Sequence, residues 1–456
     1  MKLKRTRGLD LLAALSVAFI VGCGGGGGGP SSEVSTVTDT SSFTPSMPVS
    51  DWRLVWSDEF DGSQVDTKKW NFEVNCAGGG NQERQCYTDS AENAFIENGI
   101  FNIVALPAEE GAEKPYTSAR VTTEGKGDFK YGRFEIRAKM PTGQGSWPAI
   151  WMMPTDAVYG DWPRSGEVDI VEAVNLKAAT SDGGEEKHVY GTLHYGKIDA
   201  NGRDASSGKA YALPNGANPA DDFHTYALEW DEGEMRWYVD DYLYATQRKS
   251  DVVTNSKGQA VGLRHKGWFA EYYDPATGEE TVTYTNAPFD QEFFLIMNLA
   301  VGGNWPESVN ATGVDETAFA QGQSFQIDWV RVYECSMNPE TGKGCETVRA
   351  GYDMSEDDHP TGALVEGAAP VPAIPTGPTL ENLTILAERP TQTGPLGTAV
   401  EEALPVLLKT WIEVMYSNSK SALPQQSLGL SVAESSLVTM ERQRLLMQLP
   451  WQRAEQ

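Results

Sequence analysis

Between Leu54 and Tyr333 the sequence predicts an all-β sandwich, two large antiparallel sheets packed face to face with one able to curve into a cleft. Three observations predict it. Short apolar–polar alternations recur between turn signals. The 456 residues include 13 Trp, 17 Tyr, 15 Phe and 46 Gly, a composition suited to turn-rich strands. No stretch of this body carries a 3.6-residue apolar period long enough for a helix, and no internal repeat is present.

The elements follow in order. Asn98-Gly99 stands between two strand-like runs, 94–97 and 100–103, as the preferred type I′ hairpin turn. Residues 133–140 alternate strictly, and 226–230 with 235–239 bracket a turn at 231–234; both suggest half-buried antiparallel strands.

Outside this body the texture changes. Residues 1–23 have a basic start and an apolar run too short to span a bilayer, the pattern of an export signal. The run ends in Ile20-Val21-Gly22-Cys23, which resembles a lipobox, so Cys23 is the expected lipidation site and the expected location is the cell envelope. Gly24 lacks the Asp that retains many lipoproteins at the inner membrane, which points to an outer one. Residues 24–50 (Gly, Ser, Thr) read as a flexible tether, 51–346 as the folded domain, 347–378 as a Pro/Ala/Gly-rich linker, and 379–456 as a tail to which no function is assigned.

A formal net charge of −28 argues against nucleic acid or anionic lipid as partners of the folded body and leaves a neutral substrate unopposed. Membrane contact is expected only through the N-terminal lipid, and a monomer is expected. Besides Cys23, the cysteines form two close-spaced pairs, Cys76 with Cys86 and Cys335 with Cys345. In an exported chain local disulfides are the expected connectivity, crossed pairing being the alternative. No histidine stands near either pair, which disfavours zinc.

The chemistry concentrates in Gly166-Glu167-Val168-Asp169-Ile170-Val171-Glu172. Read with period two, Glu167 and Asp169 share one face while Val168 and Ile170 point into the core. Glu172 falls on the wrong face unless a β-bulge, with Val171 as the natural extra residue, returns it to the carboxylate side. Three clustered carboxylates must raise at least one pKa. Retaining glycoside cleavage needs that pairing of an ionised nucleophile with a protonated acid. Trp147, Trp151 and Trp162 lie within 25 residues, and aromatic faces bind neutral sugar rings by stacking.

Seven further segments stand in order around this motif: 57–61, 80–83, 116–120, 131–133, 145–152, 298–306 and 327–333. With it they resemble glycoside hydrolase family sixteen, specifically its laminarinase-like endo-β-1,3-glucanases. The resemblance implies a β-jelly roll with a concave cleft and retaining hydrolysis, with Glu167 as nucleophile, Asp169 as its helper and Glu172 as acid/base. It implies substrate contacts from Asn81, Arg120, Trp147, Trp151 and His194; the histidine reads equally as a hydrogen-bonded structural residue. No cofactor is expected for catalysis. Many members bind one structural Ca²⁺ on the convex side, for which Glu59, Gly99 and Asp328 match, although Asp328 also suits a strand-end hydrogen bond.

Two departures stand out. Residues 254–286 are longer than the family minimum and carry Trp268, Phe269, Tyr272 and Tyr273, expected to wall one end of the cleft. Asp240-Asp241 replaces a usual Asp-Gly turn. Rival readings are mixed-linkage β-1,3-1,4-glucan, agar or carrageenan as substrate, transglycosylation in place of hydrolysis, and a non-catalytic β-glucan-binding protein, which usually lacks the catalytic glutamates.

Overall fold

The computed structural model describes residues 51–311, 313–347, 354–355, 359–360 and 362–375. The export signal, Cys23, the tether, part of the 347–378 stretch and the 379–456 tail lie outside them.

The described chain is a β-jelly-roll sandwich. Its ten-stranded sheet runs Tyr242–Arg248, Glu234–Val239, His224–Asp231, Gly132–Lys139, Gln323–Cys335, Ile100–Pro107, Tyr116–Ser118 and Gln85–Tyr87, with Trp52–Asp58 and Ala94–Glu97 paired alongside. The eight-stranded sheet runs Ala205–Ala212, His188–Tyr195, Glu167–Glu172, Ser146–Pro154, Phe293–Val301, Arg120–Thr122 and Asn71–Phe72, with Asp128–Phe129 on Phe293–Val301. Pairing is antiparallel except between Gln85–Tyr87 and Tyr116–Ser118. One α-helical turn, Glu316–Phe319, stands among the described residues.

Turn chemistry sets the hairpins. Asn98 and Gly99 both take positive φ, 53° and 76°, between Glu97 and its partner Ile100, the type I′ geometry that matches strand twist. Asp240 and Asp241 do the same, at 48° and 65°, between Val239 and Tyr242. Between the sheets lies one apolar core that includes Phe134, Trp230, Trp237, Phe289 and Phe293.

The expected half-burial of residues 133–140, and equally of 226–230 and 235–239, is corrected: His224–Asp231 and Glu234–Val239 are buried over nearly all of their length. Strand Gly132–Lys139 is buried on both faces for most of its length. On the face turned away from the core, Arg133 pairs with Glu135 and Glu229, each at 2.7 Å, and Arg236 pairs with Glu229 and Asp231. Thr347, just past the Cys335–Cys345 disulfide, closes over them, donating its N–H to Glu229 at 3.1 Å. The charges are affordable there because each has an opposite partner.

Both local disulfides form, Cys76–Cys86 and Cys335–Cys345. Within the stretch expected to be a linker, residues 362–370 are docked on the body. Thr246 donates to the Ala363 carbonyl at 2.9 Å, Val365 to Thr246 at 2.8 Å and Gly367 to Lys266 at 2.7 Å. Ala363 and Ala369 are buried. This strap replaces a free linker over that part of the chain.

Candidate active site

Alternation builds the floor of a cleft on the outer face of the eight-stranded sheet. From Ser146–Pro154, residues Trp147, Ala149, Trp151 and Met153 face the cleft while Ile150 and Met152 enter the core. From His188–Tyr195, the cleft receives Tyr190, Thr192 and His194 and the core receives Val189, Leu193 and Tyr195. Asn298 and Ala300 come from Phe293–Val301. The volume enclosed is about 590 Å³.

Glu167–Glu172 crosses the middle of that floor. Opposite His188–Tyr195 its register slips between Asp169, paired with Thr192, and Glu172, paired with Tyr190. The bulge predicted from the motif is there, and both glutamates line the cleft. The extra residue differs from the expected Val171. On the other side Val171 pairs with Ile150 and Asp169 with Trp151, so Ile170 is the one without a partner. Both are buried, and the bulge keeps both apolar side chains in the core while returning Glu172 to the cleft.

Each glutamate is tethered by an indole. Trp147 donates Nε1–H to Glu172 Oε1 at 2.9 Å, and Trp162 donates to Glu167 Oε2 at 2.5 Å. Asp169 is buried between them, and carboxylate oxygens of Glu167 and Asp169 lie with a ring nitrogen of His194 within 4.8 Å of one another. His194 Nδ1 meets Asp204 Oδ2 at 2.6 Å. Its Nε2 stands 3.2 Å from Asp169 Oδ2, side-on, so that this buried oxygen has no aligned donor.

Burial, joined by the Asp169 charge, pushes the Glu167 carboxyl up to about 8; His194 and the Trp162 N–H pull against that rise. Burial and Asp169 also raise Glu172 well above the ordinary glutamate range, with the Trp147 N–H opposing. Burial works against a charge on His194, but the carboxylates of Asp169 and Asp204 at its two nitrogens outweigh it and carry the imidazole up to about 12. Both glutamate carboxyls are thus shifted toward the protonated form and the imidazole toward its cation, shifts of the kind acid–base work uses.

The five expected substrate contacts all line this cleft. Arg120 is sandwiched between the Tyr87 and Trp151 rings, 4.8 and 5.1 Å from their centroids, and Trp151 Nε1–H is fixed by Asn298 at 2.7 Å. The Asn81 amide donates only locally, to the Gly79 carbonyl at 3.3 Å. Sequence reasoning did not single out Asp204, Tyr190, Asn298 or Trp305. Trp305 packs edge-on against Trp147 and Tyr190, with centroids 5.5 and 5.1 Å apart, and its place beside Gly302-Gly303 was the available signal. Asp204, in a polar loop, offered none.

The long 254–286 segment does not wall the cleft. It forms two hairpins, Asp251–Thr254 with Ala260–His265 and Ala270–Tyr273 with Glu280–Thr283. Trp268 and Phe269 enter the core. Tyr272 meets Tyr159 edge-on, and Arg164 donates to the Glu271 carbonyl and the Glu280 carboxylate, each at 2.8 Å. The insert thus buttresses the 159–164 loop, which carries Trp162 to Glu167.

The residues matched to calcium do not fit that role in this arrangement. Arg331 engages both carboxylate oxygens of Glu59, at 3.0 and 2.7 Å, and Arg137 engages Asp328, so guanidinium groups already supply the cationic charge. Gly99 serves the type I′ turn.

A family model, Glycosyl hydrolases family 16, matches residues 80–286. The chain is 40% identical over 289 residues to a beta-glucanase of Rhodothermus marinus, covering 62% of this chain and 85% of that protein. It is 38% identical over 286 residues to a glucan endo-1,3-beta-glucosidase of Cryptopygus antarcticus, covering 61% of this chain and 91% of that one. With glucan endo-1,3-beta-glucosidase A1 of Niallia circulans it shares 36% identity over 328 residues, 68% of this chain and 42% of that longer protein. With its bulged carboxylate strand on the cleft floor of a jelly roll, the chain belongs to glycosyl hydrolases family 16.

Proposed function

We propose that the chain is an endo-acting hydrolase of β-1,3-linked glucan that works with retention of configuration. The observation that carries the reading is the bulged strand, which presents Glu167 and Glu172 to one cleft, each held by an indole N–H, with Asp169 buried between. The relatives named for 1,3-β-glucan cleavage support the substrate class, and the tryptophans lining the cleft supply stacking faces for a neutral sugar chain.

In this reading Glu167 attacks the anomeric carbon as the glycosidic C–O bond breaks, and Glu172 gives its proton to the departing oxygen. A covalent glycosyl–Glu167 ester results. Glu172, now a carboxylate, takes a proton from water; the hydroxide attacks the same carbon and Glu167 leaves. His194 keeps a positive charge beside the nucleophile, with Asp169 lying against both. The lipobox-like Ile20-Val21-Gly22-Cys23 supports a lipid anchor at Cys23 and an envelope location; radiolabelled palmitate incorporation that Cys23→Ala abolishes is the check.

Incubating the full-length protein with laminarin and following product anomers by proton NMR tests the activity, with Glu167→Ser as matched control. β-Anomeric oligosaccharides formed first, and absent from the control, are expected. Cleavage of agarose or mixed-linkage glucan with laminarin untouched would overturn the substrate, and binding without cleavage of any glucan would overturn the enzyme reading.

A further inference from the structure

We propose that Asp204 is a positioning residue for the cleft carboxylates, acting through His194: by taking the Nδ1–H it turns the imidazole so that its Nε2 edge faces Asp169. The inference rests on the reading of Glu167 and Asp169 as reacting groups.

The geometry is a short chain of contacts. Asp204 Oδ2 lies 2.6 Å from Nδ1, and Nε2 lies 3.2 Å from Asp169 Oδ2, whose neighbour in turn is Glu167. A neutral imidazole carries one N–H and would turn a lone pair toward one of two carboxylates. Carboxylates at both nitrogens therefore favour an imidazolium, whose Nδ1–H is taken by Asp204 while its Nε2 edge stands side-on to Asp169 as a charge neighbour. The groups that face this ring are Glu167, Asp169 and Glu172 from the carboxylate strand, Asp204 from the loop before Ala205–Ala212, and the Trp162 ring, whose centroid is 6.1 Å away.

The turn before Asp204 does not depend on it, although its carboxylate also meets its own N–H and Ser206. The 199–203 turn is closed by Asp199, whose side chain accepts from the N–H groups of Asn201 at 2.7 Å and Arg203 at 2.9 Å. Asp204 instead lines the cleft, its side chain 20% exposed and aimed at the histidine. His194 in turn holds the Asp204 carboxyl below the ordinary aspartate range, as expected of a charged pair.

The consequence for chemistry is directional. An imidazolium held by Asp204 places a positive charge beside the carboxylate strand and lowers the proton affinity of both glutamates. Removing the Asp204 charge weakens the imidazolium, which is then lost as pH rises.

The test uses the full-length protein, Asp204→Asn, His194→Asn and the double variant. Two readouts apply: the pH dependence of kcat/KM on laminarin, and the ring nitrogen chemical shifts of His194 by NMR, which need no substrate. In the wild type His194 is expected to keep both ring protons across the accessible range. In Asp204→Asn it is expected to titrate between about pH 7 and 10, and kcat to fall roughly 10- to 100-fold on the alkaline side with KM little changed. The double variant is expected to lose no more than His194→Asn alone. A histidine that titrates alike in wild type and Asp204→Asn, or losses that multiply in the double variant, would overturn the proposal. A wild type inert on laminarin whose His194 nevertheless behaves as described would overturn the substrate reading and leave this one standing.

Discussion

Trp237 donates its indole N–H to the backbone carbonyl of Asp169 at 2.8 Å, reaching across the core from one sheet to the bulge of the other. A bulge leaves backbone groups without ladder partners, and a buried carbonyl needs a donor. Room for the indole comes from the strand opposite: a Cβ on Gly191 would sit 2.4 Å from Trp237 Cδ1. The bulge that returns Glu172 to the cleft is therefore held by a core residue from the second sheet.

Trp237→Phe keeps an aromatic ring in the core but removes the donor and leaves a void where the second ring stood. We expect unfolding free energy to fall by about 1–3 kcal/mol for the buried carbonyl left unpaired, with the cost of the lost ring volume added, and kcat to fall while KM changes little. Denaturant titration with steady-state kinetics checks both; unchanged kcat would mean the bulge holds without the indole.

Trp162→Phe removes the N–H that opposes the rise of the Glu167 carboxyl. Glu167 then ionises at higher pH, so the acid limb of kcat/KM is expected to move upward, with the largest loss at low pH. A profile scaled down equally at all pH values would contradict this.

Stability is expected to fall as pH rises from mildly acidic to mildly alkaline. Glu167 and Glu172 bind protons more tightly folded than unfolded, so their contribution is fully present below the ordinary glutamate range near 4.5 and is lost as pH rises through about 8 for Glu167. His194, raised to about 12, acts in the same direction above 6.5. Glu167→Gln is expected to stabilise the protein at pH 8 by on the order of 2 kcal/mol and to flatten the pH dependence of Tm. Equal Tm changes at pH 5 and 8 would contradict the sign.

The strap predicts a difference between two truncations. A chain ending after residue 361 loses the hydrogen bonds of Val365, Gly367 and Ala369 and the bond from Ala368 N–H to the Tyr195 hydroxyl at 2.9 Å. One ending after residue 375 keeps them. We expect the shorter chain to be less stable by roughly 2 kcal/mol or more, at about 1 kcal/mol per net hydrogen bond, measured by thermal melts.

At the Asp240-Asp241 turn, Asp241 holds φ at 65°, where glycine is favoured. Asp241→Gly is expected to raise stability by about 0.5–1 kcal/mol with activity unchanged, read by the same melts.

Much of this was legible in the sequence because it is periodic. The Asn98-Gly99 hairpin was readable from its turn residues, and the conflict between Glu167, Asp169 and Glu172 under period two required a bulge. Which residue is extra was not legible. Ile170 and Val171 are both β-branched and buried, and the choice depends on pairing with Ile150 and on Trp237, far away in sequence. Residues 133–140 looked half-buried because nothing local announces that Thr347 covers their charged face. The strap read as linker for a related reason. Its small residues carry no pattern, yet smallness is what docking there demands: a Cβ on Gly367 would lie 2.4 Å from the Gly267 backbone. Asp204 was invisible because a polar loop gives no period to break.

The central claim is the division of labour between Glu167 and Glu172, and azide rescue tests it most directly. With a dinitrophenyl β-laminaribioside, whose leaving group needs no acid, Glu172→Ala with azide is expected to give the β-glycosyl azide by way of the ester on Glu167. Glu167→Ala with azide is expected to give the α-azide by a single displacement. The opposite stereochemistry in the two variants, or no azide product from either, would contradict the account.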